Sequence, residues 1–167
     1  MEVKTVIEIN SVNYFSTGKI MNQVAELGRA QGFHIITSCP RSRSTQAHDI
    51  DHQILFGDRL TRNLHLTLAR YTGFNGCFSV IATLRFLHHL DCLHPALIHL
   101  HNLHNCYINI PLLFRYIKKK HIPVVWTFHD CWPITGQCPH FEPATVTAGK
   151  QAAALARSII NTIPRPM

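Results

Sequence analysis

The residues with chemical potential gather in one stretch, LIHLHNLHNCYINIPLLFRYIKKKHIPVVWTFHDCW, at positions 97–132. An apolar run at 97–100 is followed by His101, Asn102, His104 and Asn105. A second apolar run, at 124–128, is followed by His129, Asp130 and Trp132. An imidazole that reaches a cleft can act as hydrogen-bond partner or acid/base. His99, His101 and His104 also read as H-x-H-x-x-H. His99 and His101 share one face of an extended strand, and imidazole suits zinc. Spacing fixes no third strong ligand and H-E-x-x-H is absent, so no metal site is expected. Trp132 has two readings, an aromatic covering a loop core or a platform for a sugar or lipid.

These clusters need elements that bring them together. The segment between the two runs has helical periodicity, giving strand, polar loop, helix, strand, polar loop. In an open parallel sheet both loops leave at the carboxyl edge, where α/β folds bind ligands. Upstream, 6–10 reads as a strand ending at Asn10-Ser11. Ser16 or Thr17 can cap a following helix, with Ile20, Val24 and Leu27 on its apolar face and Gly28 or Gly32 at its end. The intervening loop, 10–18, holds Ser16, Thr17 and Gly18. Such a helix start either holds an anion or is simply capped. G-x-G-x-x-G and G-x-x-x-x-G-K-[ST] are both absent. Further strands are expected at 33–38 and 52–56, with 41–53 an exposed loop. Helices are expected over 60–72, over 77–90 with Val80, Leu84 and Leu87 on one face, and over 107–120 with Ile110, Leu113, Phe114 and Ile117 inward. The apolar strand 124–128 reads as covered on both faces. The alternation predicts an α/β fold, a single Rossmann-like domain with a doubly wound, mainly parallel sheet. Three loops, 10–18, 101–105 and 129–132, would line one edge.

A length of 167 residues fits one domain. The net charge is +7, which favours an anionic partner: nucleic acid, a phosphate-bearing substrate or a membrane surface. The densest basic run, Arg115 with Lys118, Lys119 and Lys120, ends a predicted helix. It either complements the helix dipole or forms an anion- or membrane-facing patch. No basic stripe interleaved with aromatics is present, so nucleic-acid binding is not expected. The six cysteines form no C-x-x-C pair. No secretory leader is visible in MEVKTVIEIN, and no apolar run approaches the roughly 20 residues that span a bilayer. A cytoplasmic location is expected.

Three segments, INSVNYFSTGKI, IHLHNLHNCYINIPLLF and IPVVWTFHDCWPITGQCPHF, resemble the N-terminal, acceptor-side domain of GT-B glycosyltransferases. The group is the family-4-like one of bacterial cell-surface polysaccharide enzymes. The resemblance covers about residues 5–142. It implies retaining, metal-independent transfer with no cofactor and a nucleotide-sugar co-substrate. The acceptor would be a glycan or lipid-linked, with peripheral contact at the inner face of the membrane. Ser16, Thr17 and Gly18 match the loop near the donor diphosphate and acceptor. His101 matches a catalytic histidine facing the transferring sugar, with Asn102 beside it. His129 and Asp130 match the acceptor side, and Trp132 follows them. Phe15 stands where the family often has a glycine. After Glu142 the sequence departs from the family. The expected organisation is therefore a domain at 1–142 and a divergent tail at 143–167 with an Ala-rich helical segment. The donor-binding domain would be missing, and the chain alone inactive. The alternative is a non-catalytic module that binds acceptor or pairs with a separate donor-binding domain.

Overall fold

A computed structural model describes residues 3–48 and 50–136. The chain divides into two compact units, Met1–Thr127 and Phe128–Met167. The expected boundary at 142/143 and the tail beyond it lie outside the described residues.

The first unit runs β1 (Thr5–Ile9), α1 (Phe15–Ala30), β2 (His34–Pro40), α2 (Arg43–Ala47), β3 (Gln53–Phe56), α3 (Arg59–Thr72), α4 (Val80–Leu93), β4 (Leu97–Leu100), α5 (Ile110–Lys120) and β5 (Val124–Trp126). The strands form one sheet in the order β3-β2-β1-β4-β5. Every neighbouring pair is parallel. This is the α/β, Rossmann-like sheet expected from the alternation. Strand order reverses between β1 and β4, the place where crossovers diverge and a crevice opens at the carboxyl ends.

The helices differ from expectation in which side they bury. In α1, Ile20, Val24 and Leu27 are 42%, 36% and 66% exposed, while Gly18, Met21 and Ala25 are buried. The helix packs inward through Met21, with the small residues Gly18 and Ala25 on the same side. A Cβ at Gly28 would stand 2.2 Å from Ile35 Cδ1, so this glycine is a packing residue inside the helix rather than its end. The helix stops at Gln31, with Gly32 at φ +88 beyond it. In α4 likewise, Val80 and Leu84 face out, whereas Ala82, Thr83, Phe86, Leu87 and Leu90 are buried. The Phe86 ring stacks on Phe56 with centroids 4.1 Å apart. Only α5 buries the expected set, Ile110, Leu113, Phe114 and Ile117. Its start is later than expected because Asn109 caps it, accepting from Leu112 N–H at 3.0 Å. The polar 41–53 stretch also holds the short α2, closed by a capping box between Ser42 and Thr45.

The last strand is shorter than its apolar run. It covers Val124–Trp126 at the sheet edge, and Val125 is 47% exposed. A continuous apolar run thus did not mean two covered faces here. The lysine cluster closes α5 as dipole complementarity suggests, and Lys120 Nζ pairs with Asp91 at 2.7 Å. Among the described residues, Cys39, Cys77, Cys92, Cys106 and Cys131 are free thiols. No described helix is long and apolar enough to cross a membrane.

In the second unit the described part holds one helical turn, α6 (Trp132–Thr135). Trp132 N–H donates to Asp130 Oδ1 at 2.9 Å, so Asp130 orders the turn that carries Trp132.

Candidate functional site

The site is built at the carboxyl ends of β1 and β4, on either side of the strand-order reversal. Asn10 links the two loops that leave there. Its Oδ1 accepts from Ser11 N–H at 2.8 Å and from Asn102 N–H at 3.3 Å. Its Nδ2 donates to Thr17 Oγ1 at 3.4 Å. Tyr107 O–H then donates to the Asn102 carbonyl at 2.8 Å, fixing the second loop against the core. The structure therefore brings Thr17 and Asn102 together through a buried amide that sequence reasoning treated only as a turn former.

Asn13 fastens the first loop on its other side. Its Nδ2 faces the carbonyls of Thr45 and His48 at 3.0 and 2.7 Å and Gln53 Oε1 at 3.1 Å. Asn22 Nδ2 donates to the Asn13 carbonyl at 2.9 Å. This anchoring explains Gly18. A Cβ there would lie 2.5 Å from the Asn13 carbonyl carbon, which is backbone and cannot swing aside. Gly18→Ala is expected to destabilise the chain by about 1–3 kcal/mol through overpacking. A urea-unfolding midpoint unchanged from the parent would show that loop and helix can separate at no cost.

Neither Ser16 nor Thr17 caps α1. Tyr14 is the N-cap, and no side chain accepts from the first-turn N–H groups. Ser16 is exposed and Thr17 half-buried. Phe15 has φ 56 and is 80% exposed. That is the left-handed region, unfavourable to a side chain by roughly 1–2 kcal/mol. The backbone here keeps a glycine-like shape although the residue is aromatic.

Beneath the loops lies a cluster that the sequence did not disclose. Glu8, in β1, is paired in register with His99 of β4. Alternation puts Glu8, His99 and His101 on one face. The Glu8 carboxylate, 1% exposed, accepts from His101 Nε2 at 2.7 Å and from His99 Nδ1 at 3.0 Å. His99 Nε2 meets Thr127 Oγ1 at 2.8 Å. A carboxylate only accepts, so the protons sit on His99 Nδ1 and His101 Nε2. Burial alone pushes the Glu8 carboxyl up. The hydrogen bonds from His101 and His99, with the charges those rings can carry, outweigh it and hold the group below its ordinary value. Glu8 is therefore ionised at neutral pH. The ligand atoms of Glu8, His99 and His101 lie within 4.8 Å of one another. They supply the third metal-capable group that spacing did not reveal, and as they stand they are spent on hydrogen bonds to each other.

His101 itself is 1% exposed. Its N–H donates to the Ile9 carbonyl at 2.9 Å, and its carbonyl accepts from Trp126 Nε1 at 2.9 Å. The residue thus ties β1 and the edge strand β5 to the end of β4 as well as carrying an imidazole under the loop edge. Asn102 is half-buried directly after it. His129, Asp130 and Trp132 belong to the second unit, described by itself. A readable signal for Glu8 existed: one carboxylate inside an otherwise apolar strand, TVIEI, at an alternating position.

No family model matches the chain. It is similar over a short stretch to "Putative colanic acid biosynthesis glycosyl transferase WcaC" of Escherichia coli (strain K12), with 39% identity over 49 residues. That stretch is 26% of this chain and 12% of that protein, so the chain spans a small part of its relative. The likeness and the parallel α/β sheet together support a glycosyltransferase-like domain.

Proposed function

We propose that the chain supplies the acceptor-side domain of a retaining, metal-independent GT-B glycosyltransferase of the family-4-like group. It would act on a nucleotide-sugar donor and a cell-surface glycan or lipid-linked acceptor at the inner face of the membrane. The observation that carries this reading is the strand-order reversal between β1 and β4, where Asn10 ties the start of α1 at Thr17 to the loop at Asn102. The short likeness to a glycosyl transferase supplies the reaction class. Transfer would need a donor-binding domain to face this one, and the chain alone would give little or no turnover.

In this reading the uncapped start of α1, with Ser16 and Thr17, faces the donor diphosphate, because N–H groups and the helix dipole there favour an anion. Asn102 orients the acceptor, while an acceptor-binding role for His129, Asp130 and Trp132 of the second unit rests on the family resemblance alone. His101 faces the transferring sugar. The Glu8 carboxylate accepts from His101 Nε2–H at 2.7 Å and so holds the orientation of the ring.

The test is sugar transfer from labelled nucleotide-sugars to lipid-linked and glycan acceptors, with the chain assembled with a donor-binding domain. His101→Gln keeps an N–H for Glu8, so its melting temperature should stay near that of the parent. Its kcat is expected to fall by about 10²–10⁴ if the imidazole moves a proton. An unchanged kcat would remove His101 from the site. Robust transfer by the isolated chain would refute the need for a second domain.

A further inference from the structure

The outward face of α3 carries leucine and tyrosine where a surface helix normally carries charge. Leu60 is 81% exposed, Leu64 60% and Tyr71 87%. The spacings of four and eleven residues place all three on one side of the helix. The inner side uses His65 and Ala69, both buried. His65 Nδ1 contacts Ser79 Oγ at 2.7 Å, and its ring packs edge-on against Phe78. The rotation of α3 is therefore fixed from within, with its apolar stripe held outward. Phe74, 62% exposed, follows the left-handed Gly73 cap at the same end as Tyr71.

The charge on this helix has one sign. RLTRNLHLTLARYT contains Arg59, Arg62 and Arg70 and no acidic residue. Arg59 and Arg70 are exposed beside the stripe. The Asp58 carboxylate just before the helix is turned into its N-terminus, accepting from Thr61 N–H at 2.8 Å. The exposed stripe on α1 has mixed charge instead, with Lys19 exposed beside Ile20. Glu26 lies among its residues, and the Arg29 guanidinium is turned to the Ile35 carbonyl at 3.0 and 3.1 Å.

We propose that α3 is an interfacial helix that lies on an anionic lipid surface. Leu60, Leu64 and Tyr71 would enter the headgroup boundary while Arg59 and Arg70 pair with lipid phosphates. Apolar side chains on one face, arginines at its margins and low overall hydrophobicity are what hold a helix in that plane. Tyrosine suits the boundary because its ring is apolar and its tip polar. A second copy of the chain docked on this face would bring Arg59 and Arg70 against the same cations of its partner, and the charge argues against it. The surface differs from the α5 lysine cluster, where Lys120 is already engaged by Asp91. It gives the membrane contact of the transferase reading a place, yet does not depend on the sugar chemistry.

The test is co-sedimentation of the 167-residue chain with phosphatidylcholine vesicles, with and without phosphatidylglycerol. Binding is expected only with the anionic lipid and should weaken with salt. Arg59→Gln and Arg70→Gln should each lower partitioning about fivefold. Tyr71→Ser alone should weaken binding, and Leu60→Ser, Leu64→Ser and Tyr71→Ser together should abolish it. These side chains are exposed, so far-ultraviolet circular dichroism should be unchanged. Lys118→Gln with Lys119→Gln should leave binding intact. The proposal falls if anionic vesicles fail to bring the chain down, or if the triple serine variant still binds. It also falls if light scattering shows a dimer that the serine variants dissociate while vesicles bind nothing.

Discussion

Glu8→Ala is expected to cost about 3–5 kcal/mol of unfolding free energy, the usual penalty for removing one partner of a buried, hydrogen-bonded charge group. The carboxylate is 1% exposed and takes hydrogen bonds from both His99 and His101. Without it two imidazole N–H groups point into a cavity between β1 and β4. Replacing the whole cluster, with Glu8→Val, His99→Val and His101→Leu, should recover most of that loss, because apolar groups of similar size need no partners. Urea unfolding of the single and triple variants measures both effects. A single variant within about 1 kcal/mol of the parent would mean that water already satisfies the cluster. A stable triple variant that no longer supports transfer would separate the cluster's chemical role from its structural one.

Acidification from pH 6.5 to 4 is expected to remove about 3 kcal/mol of stability through His65 alone. Burial lowers its pKa from 6.5 to about 4. The unfolded chain takes up a proton below 6.5 that the folded chain refuses until about 4. Stability is therefore complete above 6.5, falls across that window and levels off below it. The structural reason is visible in the ring. Nδ1 is with Ser79 Oγ, and Nε2 is buried without a partner, so a second N–H there would be unsatisfied. Glu8 acts in the same direction lower down. Its carboxyl is held below 4.5, so its contribution is present above 4.5 and is lost as pH falls through the folded value. Urea midpoints measured across this range should rise with pH, and His65→Leu should flatten the upper part of the slope. A parent curve flat from 6.5 to 4 would mean that water reaches the ring. The same histidine seats α3, so acid should also release the helix carrying the arginines.

The loops at the site show how far local chemistry reads through. Asn10 was legible as the start of a strand-to-helix connection because turn formers follow an apolar run, but the helix begins earlier than expected, and Ser16, Thr17 and Gly18 lie in its first turns rather than in the loop. That Asn10 joins Asn102 to Thr17 was not legible. The contact to Asn102 spans 92 positions and depends on β1 and β4 lying side by side. Gly18 reads as a flexible loop residue in the sequence and is a tight-packing one in the fold. Phe15 hides a left-handed backbone behind an ordinary aromatic.

Helix faces failed for one reason. Large apolar residues attract attention in a periodic pattern, but α1 turns Gly18, Met21 and Ala25 inward and leaves Leu27 exposed, a choice of rotation that periodicity alone does not make. In α1, α3 and α4 exposed apolar side chains stand opposite the packed face or beside it, although α4 buries Phe86, Leu87 and Leu90 on its inner side and α5 buries all four residues of its expected face. The edge strand failed for another. Val124–Trp126 has the composition of a central strand, and its position is set by strand order, which no local pattern encodes.

The sequence by itself determined the alternation of strands and helices, and with it the parallel sheet and the edge at which chemistry could gather. Those follow from periods of 2.0 and 3.6 residues, which are local properties of the chain. Only the tertiary structure decided that Glu8 faces His99 and His101, that His101 lies buried, and that α3 turns its leucines outward. Each depends on register between strands far apart in sequence or on helix rotation. Both are set by the summed packing of the whole domain rather than by any residue's own preference.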